Sequence, residues 1–567
     1  MRPHLSIILI ASVLLVGVAC KSPKGVYSQG AGQIPASNDK DGDGIPDDWE
    51  INGVDYTYPP DRSRHHLDLK NDYGASPKHK DIFIWVAWME DSTHTHKPEP
   101  DAIAIVRQAF ANAPVQNIDG YPGINVRVVF APEAIPEKQI IGSVDAGGNY
   151  DWAEYDALEK KYFPQELQGV FHFCLFAHDI DAEHHSGISK TIPGREFVVS
   201  LGGFTNMVGT VQEKAGTFMH ELGHALGLRH GGLDDTNYKP NYISIMNYFF
   251  QLNGIPINGV QGNYDYSRFK IDCSESNLSK KAGLTSNATL TRYGTQYFCC
   301  ATCKSDSSIP VNVSSIVGTP VDWNCNSNVQ PDSVATDING DNAITNLAGA
   351  DDWQNVVLKP AGSTSGVTAR SVVGLKVTSE ITPKQADSIR LFPVAGVTAV
   401  KTGTNTFVSW NQVPLDRVLA YRVYRSSAAG ARPELVGTID DTTHPSFTDT
   451  SVKRGSYQYF VTAVFAPHSF AVQNGTENLP VPVKNAESLP GAIKNAGGFS
   501  ARNATGVSIR EIINSDQVAG IRDAAPTKSA RYENLGQAAP QSRSSFGLFP
   551  KNLYETDFSS AATVVVK

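Results

Sequence analysis

The pattern of hydrophobic and polar positions changes along the chain and divides it into regions of different character. Between residues 78 and 230, short apolar runs typical of buried strands alternate with amphipathic stretches. A helix is predicted at 102–111, where apolar residues recur at helical spacing after two prolines. The strands predicted in this region are 81–88, 124–130, 169–176 and 196–201. This alternation predicts an α/β (α+β) domain.

A second pattern, of short alternating strands separated by turn residues, occupies residues 395–467 and predicts an all-β sandwich. The placement of Trp410 and of Tyr457 and Tyr459 resembles the core of fibronectin type III domains. Because a fold does not give a function, a spacer and a glycan- or protein-binding module both stay open.

The most informative stretch is His220-Glu-Leu-Gly-His-Ala-Leu-Gly-Leu-Arg-His230. His220 and His224 are four residues apart, so a helix projects both imidazoles from one face. Glu221 lies beside them, placed to act on a water molecule at the metal. Gly227 is predicted to end the helix in a left-handed conformation and to let His230 return as third ligand. Three imidazoles suit zinc and leave one position open. Upstream, Thr210 and Glu213 predict a capping box.

A second motif, Ser244-Ile-Met246-Asn-Tyr248, follows His230. In this order the two motifs resemble those of the metzincin zinc peptidases, and the second resembles the Met-turn of astacins and serralysins. The resemblance implies a metzincin catalytic domain over 78–360, with a twisted mixed sheet backed by two helices and an irregular lower part after His230. It implies that Met246 packs beneath the metal and that Tyr248 approaches it. It also implies that the strand at 196–201 borders the cleft and pairs with a bound peptide.

The function expected from this resemblance is zinc-dependent hydrolysis of peptide bonds in protein or peptide substrates outside the cytoplasm. Zinc would be held by His220, His224 and His230, and a metal-activated water would attack with Glu221 as general base. Tyr248 would help to stabilise the oxyanion. Two alternatives stay open: a catalytically silent metal-binding surface adhesin, and a zinc hydrolase acting on a non-peptide bond.

An acidic loop precedes the α/β region and predicts a calcium site. Counted over twelve residues, it carries acids at positions 1, 3, 5, 9 and 12 and a glycine at position 6. It resembles the calcium loops of thrombospondin type 3 repeats more than an EF-hand, because no helix is predicted before it. The alternative is an acidic flexible linker. The predicted ligands are Asp39, Asp41, Asp43, Ile45, Asp47 and Glu50.

The chain begins with Arg2 and an apolar run at 5–19, which is short for a membrane span and typical of a signal peptide. The run ends Gly-Val-Ala-Cys20, which resembles a bacterial lipobox, although Gly17 departs from the usual residue. The prediction is lipidation of Cys20 and anchoring to an outer membrane or cell surface. The alternative is ordinary cleavage and secretion; both export the protein.

Cysteine usage fits an exported protein. Cys300-x-x-Cys303 could be half of a zinc site, but no second pair lies at a suitable spacing, so disulfides are favoured. Cys174 lies within a predicted strand and is expected to be a buried free thiol. The pairing among the cysteines is not fixed by the sequence.

The length and net charge of the chain limit the number of domains and the kinds of partner. The 567 residues allow three or four domains, and the net charge of −9 argues against nucleic acid as a partner. The oligomeric state stays open. The predicted regions are a signal peptide at 1–20, a tether with the calcium loop at 21–77, the catalytic domain at 78–360, the sandwich at 395–467 and a low-order tail at 476–567.

Overall fold

A computed structural model describes most of the chain, and the structure is a mixed α/β arrangement with more strands than helices. The described residues are 38–299, 309–328, 330–358, 380–389, 391–427, 432–466, 468 and 554–566. The helices are α1 (Asp47–Asn52), α2 (Leu69–Tyr73), α3 (Pro100–Ala111), α4 (Ala153–Tyr162), α5 (Val211–Ala225) and α6 (Pro383–Ser388).

The strands before α5 include all those of the central sheet, and most of the strands after α5 are short. Up to residue 263 they are β1 (Val54–Thr57), β2 (Arg64–Leu67), β3 (Asp81–Glu90), β4 (Asn125–Phe130), β5 (Ile135–Pro136), β6 (His172–Ala177), β7 (Gly187–Ser189), β8 (Glu196–Ser200), β9 (Ile255–Ile257) and β10 (Val260–Asn263). Those that follow, up to residue 347, are β11 (Cys273–Ser274), β12 (Leu278–Ser279), β13 (Thr295–Cys299), β14 (Ile309–Val313), β15 (Ser333–Val334) and β16 (Asn346–Leu347).

The central sheet has the order β4-β3-β6-β8-β7, with β5 paired to the end of β3. All neighbours are parallel except β7, which runs antiparallel to β8. Strand β3 is buried along nine of its ten residues, as its continuous apolar sequence predicts for a strand with parallel neighbours on both sides. The predicted strands at 81–88, 124–130, 169–176 and 196–201 are therefore confirmed with small shifts in their bounds.

The order of the last two strands corrects one expectation. The strand predicted at 196–201 forms β8, but it lies between β6 and β7 and so has no free edge. The edge belongs to β7, three residues long, which is too short to give a periodic signal in the sequence. The expectation that 196–201 pairs with a bound peptide is wrong for this reason.

Helix α5 packs against β7, β8 and α3. Its first turn carries the predicted capping box: Thr210 accepts from the backbone of Glu213, whose side chain accepts from the backbone of Thr210. Gly227 has a φ of +94°, so the predicted left-handed stop is confirmed.

Residues after α5 form a loop-rich region with short two-stranded ladders, as expected for the irregular lower part. Cys299 and Cys325 form a disulfide, and Cys174 is the predicted buried thiol. Cys273 is also a free thiol, whereas Cys20, Cys300 and Cys303 lie outside the described residues. Among the residues described, none of the helices has the length and apolar character needed to cross a membrane.

The C-terminal region is a sandwich of two antiparallel sheets whose shared core includes Trp410, Tyr421 and Tyr459. Its strands are β17 (Thr398–Thr402), β18 (Asn405–Ser409), β19 (Val418–Ser426), β20 (Glu434–Ile439), β21 (Ser446–Asp449), β22 (Gly455–Phe465), β23 (Tyr554–Glu555) and β24 (Ala562–Val566). One sheet has the order β17-β18-β21, and the other contains β20, β19, β22, β23 and β24.

The last two strands correct the predicted boundaries. Residues 476–567 were expected to be a low-order tail, and the sandwich to end at 467. The part of that range before residue 554 lies outside the described residues, but at its end β23 and β24 pair with β22, and Val564 lies in the sandwich core. Buried and exposed residues alternate along β24, but its sequence, Ala-Thr-Val-Val-Val, does not show this alternation, and a strand of five residues distant from its partner gives no signal of where it pairs.

Candidate metal centre

Three imidazoles on α5 and the turn after it face one another. The Nε2 atom of His224 is 3.1 Å from that of His220 and 3.2 Å from that of His230. The Nδ1 atoms of His220 and His224 lie 3.0 and 2.9 Å from the carbonyl oxygens of Ile245 and Leu228. Because a carbonyl only accepts, each of these two Nδ1 atoms carries the hydrogen, and the Nε2 lone pair is left free.

This arrangement fits a tetrahedral metal ion better than it fits hydrogen bonds among the rings. Ligand nitrogens about 2.0–2.1 Å from zinc lie about 3.3–3.4 Å apart in a tetrahedral site, close to the separations observed here. The three rings are buried, and burial lowers the pKa of His220 and, together with the neighbouring imidazoles, that of His224. Burial therefore favours the neutral form that a metal ligand needs at His220 and His224.

Glu221 lies beside the histidines, on the side of α5 that faces β7. Neither of its carboxylate oxygens accepts a hydrogen bond from another described residue. Strand β7 approaches it so closely that a Cβ on Gly187 would lie 2.7 Å from Oε1 of Glu221. Burial, with a contribution from the Glu380 carboxylate, raises the pKa of Glu221 well above its ordinary value. Only a glycine at 187 leaves room for this carboxylate.

The Met-turn forms the floor of the centre. A Cβ on Gly223 would lie 2.3 Å from Sδ of Met246, so the sulfur packs on the helix between His220 and His224. The backbone carbonyl that holds His220 comes from the same turn, at Ile245. Met246 is fully buried, which agrees with the structural role expected for it.

A buried carboxylate, Asp352, holds this turn from below and was not identified from the sequence. It accepts hydrogen bonds from the hydroxyls of Tyr242 and Ser244 and from the backbone of Ser267. Burial, partly offset by these donors, raises the pKa of Asp352 to about 7. No local motif marks such a residue, because its donors lie about a hundred residues earlier in the chain.

Tyr248 reaches the centre, as expected. Its hydroxyl lies 3.2 Å from Nε2 of His230 and donates to Oε2 of Glu380 over 3.3 Å. The ring packs against His230 with a centroid distance of 4.8 Å. Burial, followed by the adjacent Glu380 carboxylate, raises the pKa of Tyr248 well above its ordinary value, so the hydroxyl keeps its proton.

A fourth group, Glu380, completes the cluster and was not predicted. Its carboxylate oxygens lie 3.6, 3.7 and 3.6 Å from the Nε2 atoms of His220, His224 and His230. The side chain is fully buried, and its Oε1 has no hydrogen-bond partner among the described residues. Although burial alone would raise it, the histidines hold the pKa of Glu380 below its ordinary range.

The segment that carries Glu380 lies against the entrance to β7. The backbone of Ser186, the residue before β7, donates to the carbonyl of Ile381 over 2.9 Å. Ile381 is itself fully buried. The chain therefore places its own backbone beside the start of β7, and its own carboxylate on the three histidines.

The acidic loop before β1 gathers buried carboxylates into two overlapping groups. One joins Asp39, Asp41 and Asp43; the other joins Asp43 and Glu50 with Asp81 at the start of β3. Both oxygens of Glu50 are buried without a hydrogen-bond partner among the described residues. Burial and the neighbouring carboxylates raise the pKa of Glu50 to about 10. A cluster of orphaned carboxylate oxygens fits calcium, a hard cation that prefers oxygen.

The structure differs from the predicted calcium ligand set at two positions. Asp47 pairs with the ammonium and backbone of Lys40 and lies outside both groups. Asp81 belongs to the second group, although it lies at the start of β3 and well after the loop in the sequence. Ile45 has its side chain in the core and donates its N–H to Asp43, while its carbonyl stays a predicted ligand.

No protein family and no curated protein matches this chain. Among solved structures, a Fn3-like protein from Clostridium thermocellum is 31% identical over 13% of this chain and 77% of its own, with a TM-score of 0.12. The fn3 domain of human collagen alpha-1(XX) is 21% identical over 18% and 78%, with a TM-score of 0.12. Pectate lyase Pel3 from Pectobacterium carotovorum is 25% identical over 12% and 21%, with a TM-score of 0.11. Scores this low carry no argument about fold or activity.

Proposed function

We propose that this chain is an exported zinc-dependent endopeptidase of metzincin type, followed by a fibronectin type III-like module. The observation that carries the proposal is the convergence of three free imidazole nitrogens with an unpartnered carboxylate, Glu221, beside them. The Met-turn beneath supports the metzincin assignment. The antiparallel sandwich with Trp410 and Tyr459 in its core supports the assignment of the C-terminal module.

His220, His224 and His230 would hold the zinc ion, which when bound supplies a Lewis acid beside the scissile carbonyl. The extended substrate would lie along the free edge of β7, since backbone pairing with an edge strand holds a peptide without regard to its side chains. The segment containing Glu380 and Ile381 would have to leave first, because it occupies this region.

The chain's own groups then move the protons. Glu221, once the neighbouring Glu380 carboxylate that helps to raise its pKa has left, takes a proton from the attacking water and passes it to the leaving amine. The Tyr248 hydroxyl, released from Glu380, donates a hydrogen bond to the developing oxyanion. Burial of both groups favours these transfers, because charge interactions strengthen where water is excluded.

The second candidate is a metal-binding surface adhesin without turnover. One observation favours it: with Glu380, the centre has four protein ligands, and closed four-ligand zinc sites are typical of structural roles. The presence of Glu221 favours the peptidase, because a structural site has no use for a buried, unpaired base.

One experiment separates the two. Wild type, Glu380→Ala and Glu380→Ala/Glu221→Ala are loaded with zinc and tested for cleavage of a denatured protein, with chelator and with zinc add-back. The peptidase proposal expects zinc-dependent cleavage by Glu380→Ala, lowered on the order of a thousandfold or more when Glu221 is also replaced. Zinc-loaded, folded Glu380→Ala without any cleavage would instead support the adhesin.

A further inference from the structure

A second cluster of metal-binding side chains lies at the carboxyl ends of the central strands. We propose that His94, His96, Glu137 and His178 form a structural zinc site separate from the centre on α5. The four groups come from three places in the chain, and one ligand atom of each lies within 4.8 Å of the others. We refer to these four residues as the strand-end cluster.

The separations within the strand-end cluster match a tetrahedral site. Nδ1 of His178 lies 3.2 Å from Nε2 of His94, 3.2 Å from Nε2 of His96 and 3.2 Å from Oε1 of Glu137. The other oxygen of Glu137 lies 3.5 Å from Nε2 of His96 and 3.8 Å from Nε2 of His94. Ligand atoms about 2.0–2.1 Å from zinc would be about 3.3–3.4 Å apart.

Hydrogen bonding does not account for this geometry. An imidazole nitrogen has either one hydrogen or one lone pair, so Nδ1 of His178 can satisfy only one of its three close neighbours. The cluster is nevertheless buried: the side chains of His96 and Glu137 are 2% and 6% exposed, and those of His94 and His178 are 7% exposed. Neither oxygen of Glu137 has a hydrogen bond among the described residues. A single cation at the centre would satisfy all four groups.

The backbone around the strand-end cluster is fixed in advance by the sheet. The N–H of His96 donates to Met89 of β3, and that of Glu137 donates to Glu90. The carbonyl of His178 accepts from Gly202, which follows β8. A Cβ on Gly202 would lie 2.3 Å from the His178 ring, so a glycine is needed for the ring to sit there. Ligands held in this way bind metal with little loss of conformational entropy.

A partner outside the cluster orients one of its rings. Nδ1 of His94 lies 3.3 Å from Oδ1 of Asp91 and 2.9 Å from the hydroxyl of Thr93, which leaves Nε2 pointing inward. A carboxylate on the far nitrogen of a metal-binding histidine is the usual arrangement, since it fixes the tautomer and the ring orientation.

Zinc is the metal that fits best. Three imidazoles and one carboxylate give four donors of nitrogen and oxygen type, which suit a tetrahedral divalent transition ion and not calcium or magnesium, which prefer six or more oxygens. No donor position is left for substrate, so the role is structural. The site would tie together the ends of β3, β5 and β6 and fix the segment from His178 to β7, against which Glu221 packs.

The test measures bound zinc in the full chain after loading and dialysis. His220→Gln/His224→Gln removes the α5 centre, and this variant should still retain about one zinc ion per chain. Adding His96→Gln and His178→Gln should lower the retained zinc to near zero. The matched control, His65→Gln/His66→Gln, changes two histidines on β2 outside both clusters and should leave the zinc content unchanged. This design is independent of whether the α5 centre is catalytic.

A second measurement tests the proposal even if the variant with all four histidines replaced fails to fold. Co²⁺ added to metal-free His220→Gln/His224→Gln should give the intense visible absorption typical of four-coordinate cobalt. Weak absorption of the six-coordinate aqueous type would overturn the proposal, as would an equal zinc content with and without the His96→Gln and His178→Gln changes. In wild type, zinc should raise the melting temperature beyond the increase seen in His96→Gln/His178→Gln.

Discussion

The hydroxyl of Tyr248 lies at the junction of two functions, because it contacts both His230 and Glu380. In the structure it donates to the carboxylate that covers the histidines. In the proposed peptidase, the same hydroxyl would face the reacting carbonyl once that carboxylate has left. A single atom therefore stabilises the covered form and is available to the open one.

Replacing Tyr248 with phenylalanine should separate these roles. In the Glu380→Ala background, Tyr248→Phe should lower turnover on the order of ten- to a hundredfold, because one oxyanion donor is lost while the ring is kept. Zinc content and melting temperature should not change. Tyr238→Phe, whose ring lies 5.7 Å from that of Tyr248, is the control. Equal turnover in the two variants would mean that Tyr248 only packs.

The residue scale also shows what the sequence was able to predict. The histidines were recognisable because a helix and one glycine turn place them by local spacing alone. Glu380 was not, since its position depends on a return of the chain after about a hundred and fifty residues, and loop closure over that distance leaves no local pattern. Asp81 and Asp352 were missed for the same reason.

At the scale of elements, the segment from Glu380 to Ile381 lies over the centre, and we expect it to act as a cover. It contributes a carboxylate to the three histidines and a carbonyl to the residue before β7. Within the described part of the chain, β7 pairs with β8 alone, so its other side is where a substrate backbone and this segment would compete. The same edge of the sheet is therefore both where we expect the substrate to bind and where the segment from Glu380 to Ile381 would block it.

Removing the carboxylate should release activity. Glu380→Ala should raise the rate of protein cleavage on the order of tenfold or more over wild type, because the fraction of open centres grows. Lys384→Ala, an exposed change on the following helix α6, should leave the rate as it is. Initial rates with a large denatured substrate are the measurement. A lower zinc content in Glu380→Ala together with no gain in rate would show that Glu380 serves as a ligand and not as a cover.

The acidic loop and the start of β3 form a second unit at this scale. Because its carboxylates repel one another when buried, calcium should raise the melting temperature of wild type. Asp43→Asn/Glu50→Gln removes two charges from the cluster and should abolish that calcium-dependent shift. Asp48→Asn, an exposed acid in the same loop, is the matched control and should keep it. A full calcium response in the double variant would place the cation elsewhere.

At the scale of the whole molecule, the α/β region and the sandwich are joined by contacts between buried polar and charged side chains. His468 contacts Glu213, the capping residue of α5, over 2.6 Å, and Arg417 donates to Asn253 over 3.0 Å. The helix that carries two of the histidines is thus held at its first turn by the C-terminal module. The sequence predicted both regions from their periodicity, but not this contact, since side chains that meet between domains carry no periodic signal.

Export remains a prediction for the whole molecule, since Cys20 lies outside the described residues. Processing at a lipobox should yield a membrane-extracted chain that begins at Cys20 and carries a diacylglyceryl group. Intact-mass analysis of the protein from membranes, with Cys20→Ser as the control, measures this directly. A soluble chain with an unmodified cysteine would contradict it.

The pairing of β22 with β24 has a consequence for how the chain matures. One side of β22 meets β19, which is near in sequence, but the other side waits for a strand that comes on the order of a hundred residues later. Until that strand arrives, a long apolar edge is open to any extended chain nearby. Synthesis and export thus pass through an interval of vulnerability to aggregation, and a protease cut between the two strands could restore that hazard in a molecule already folded.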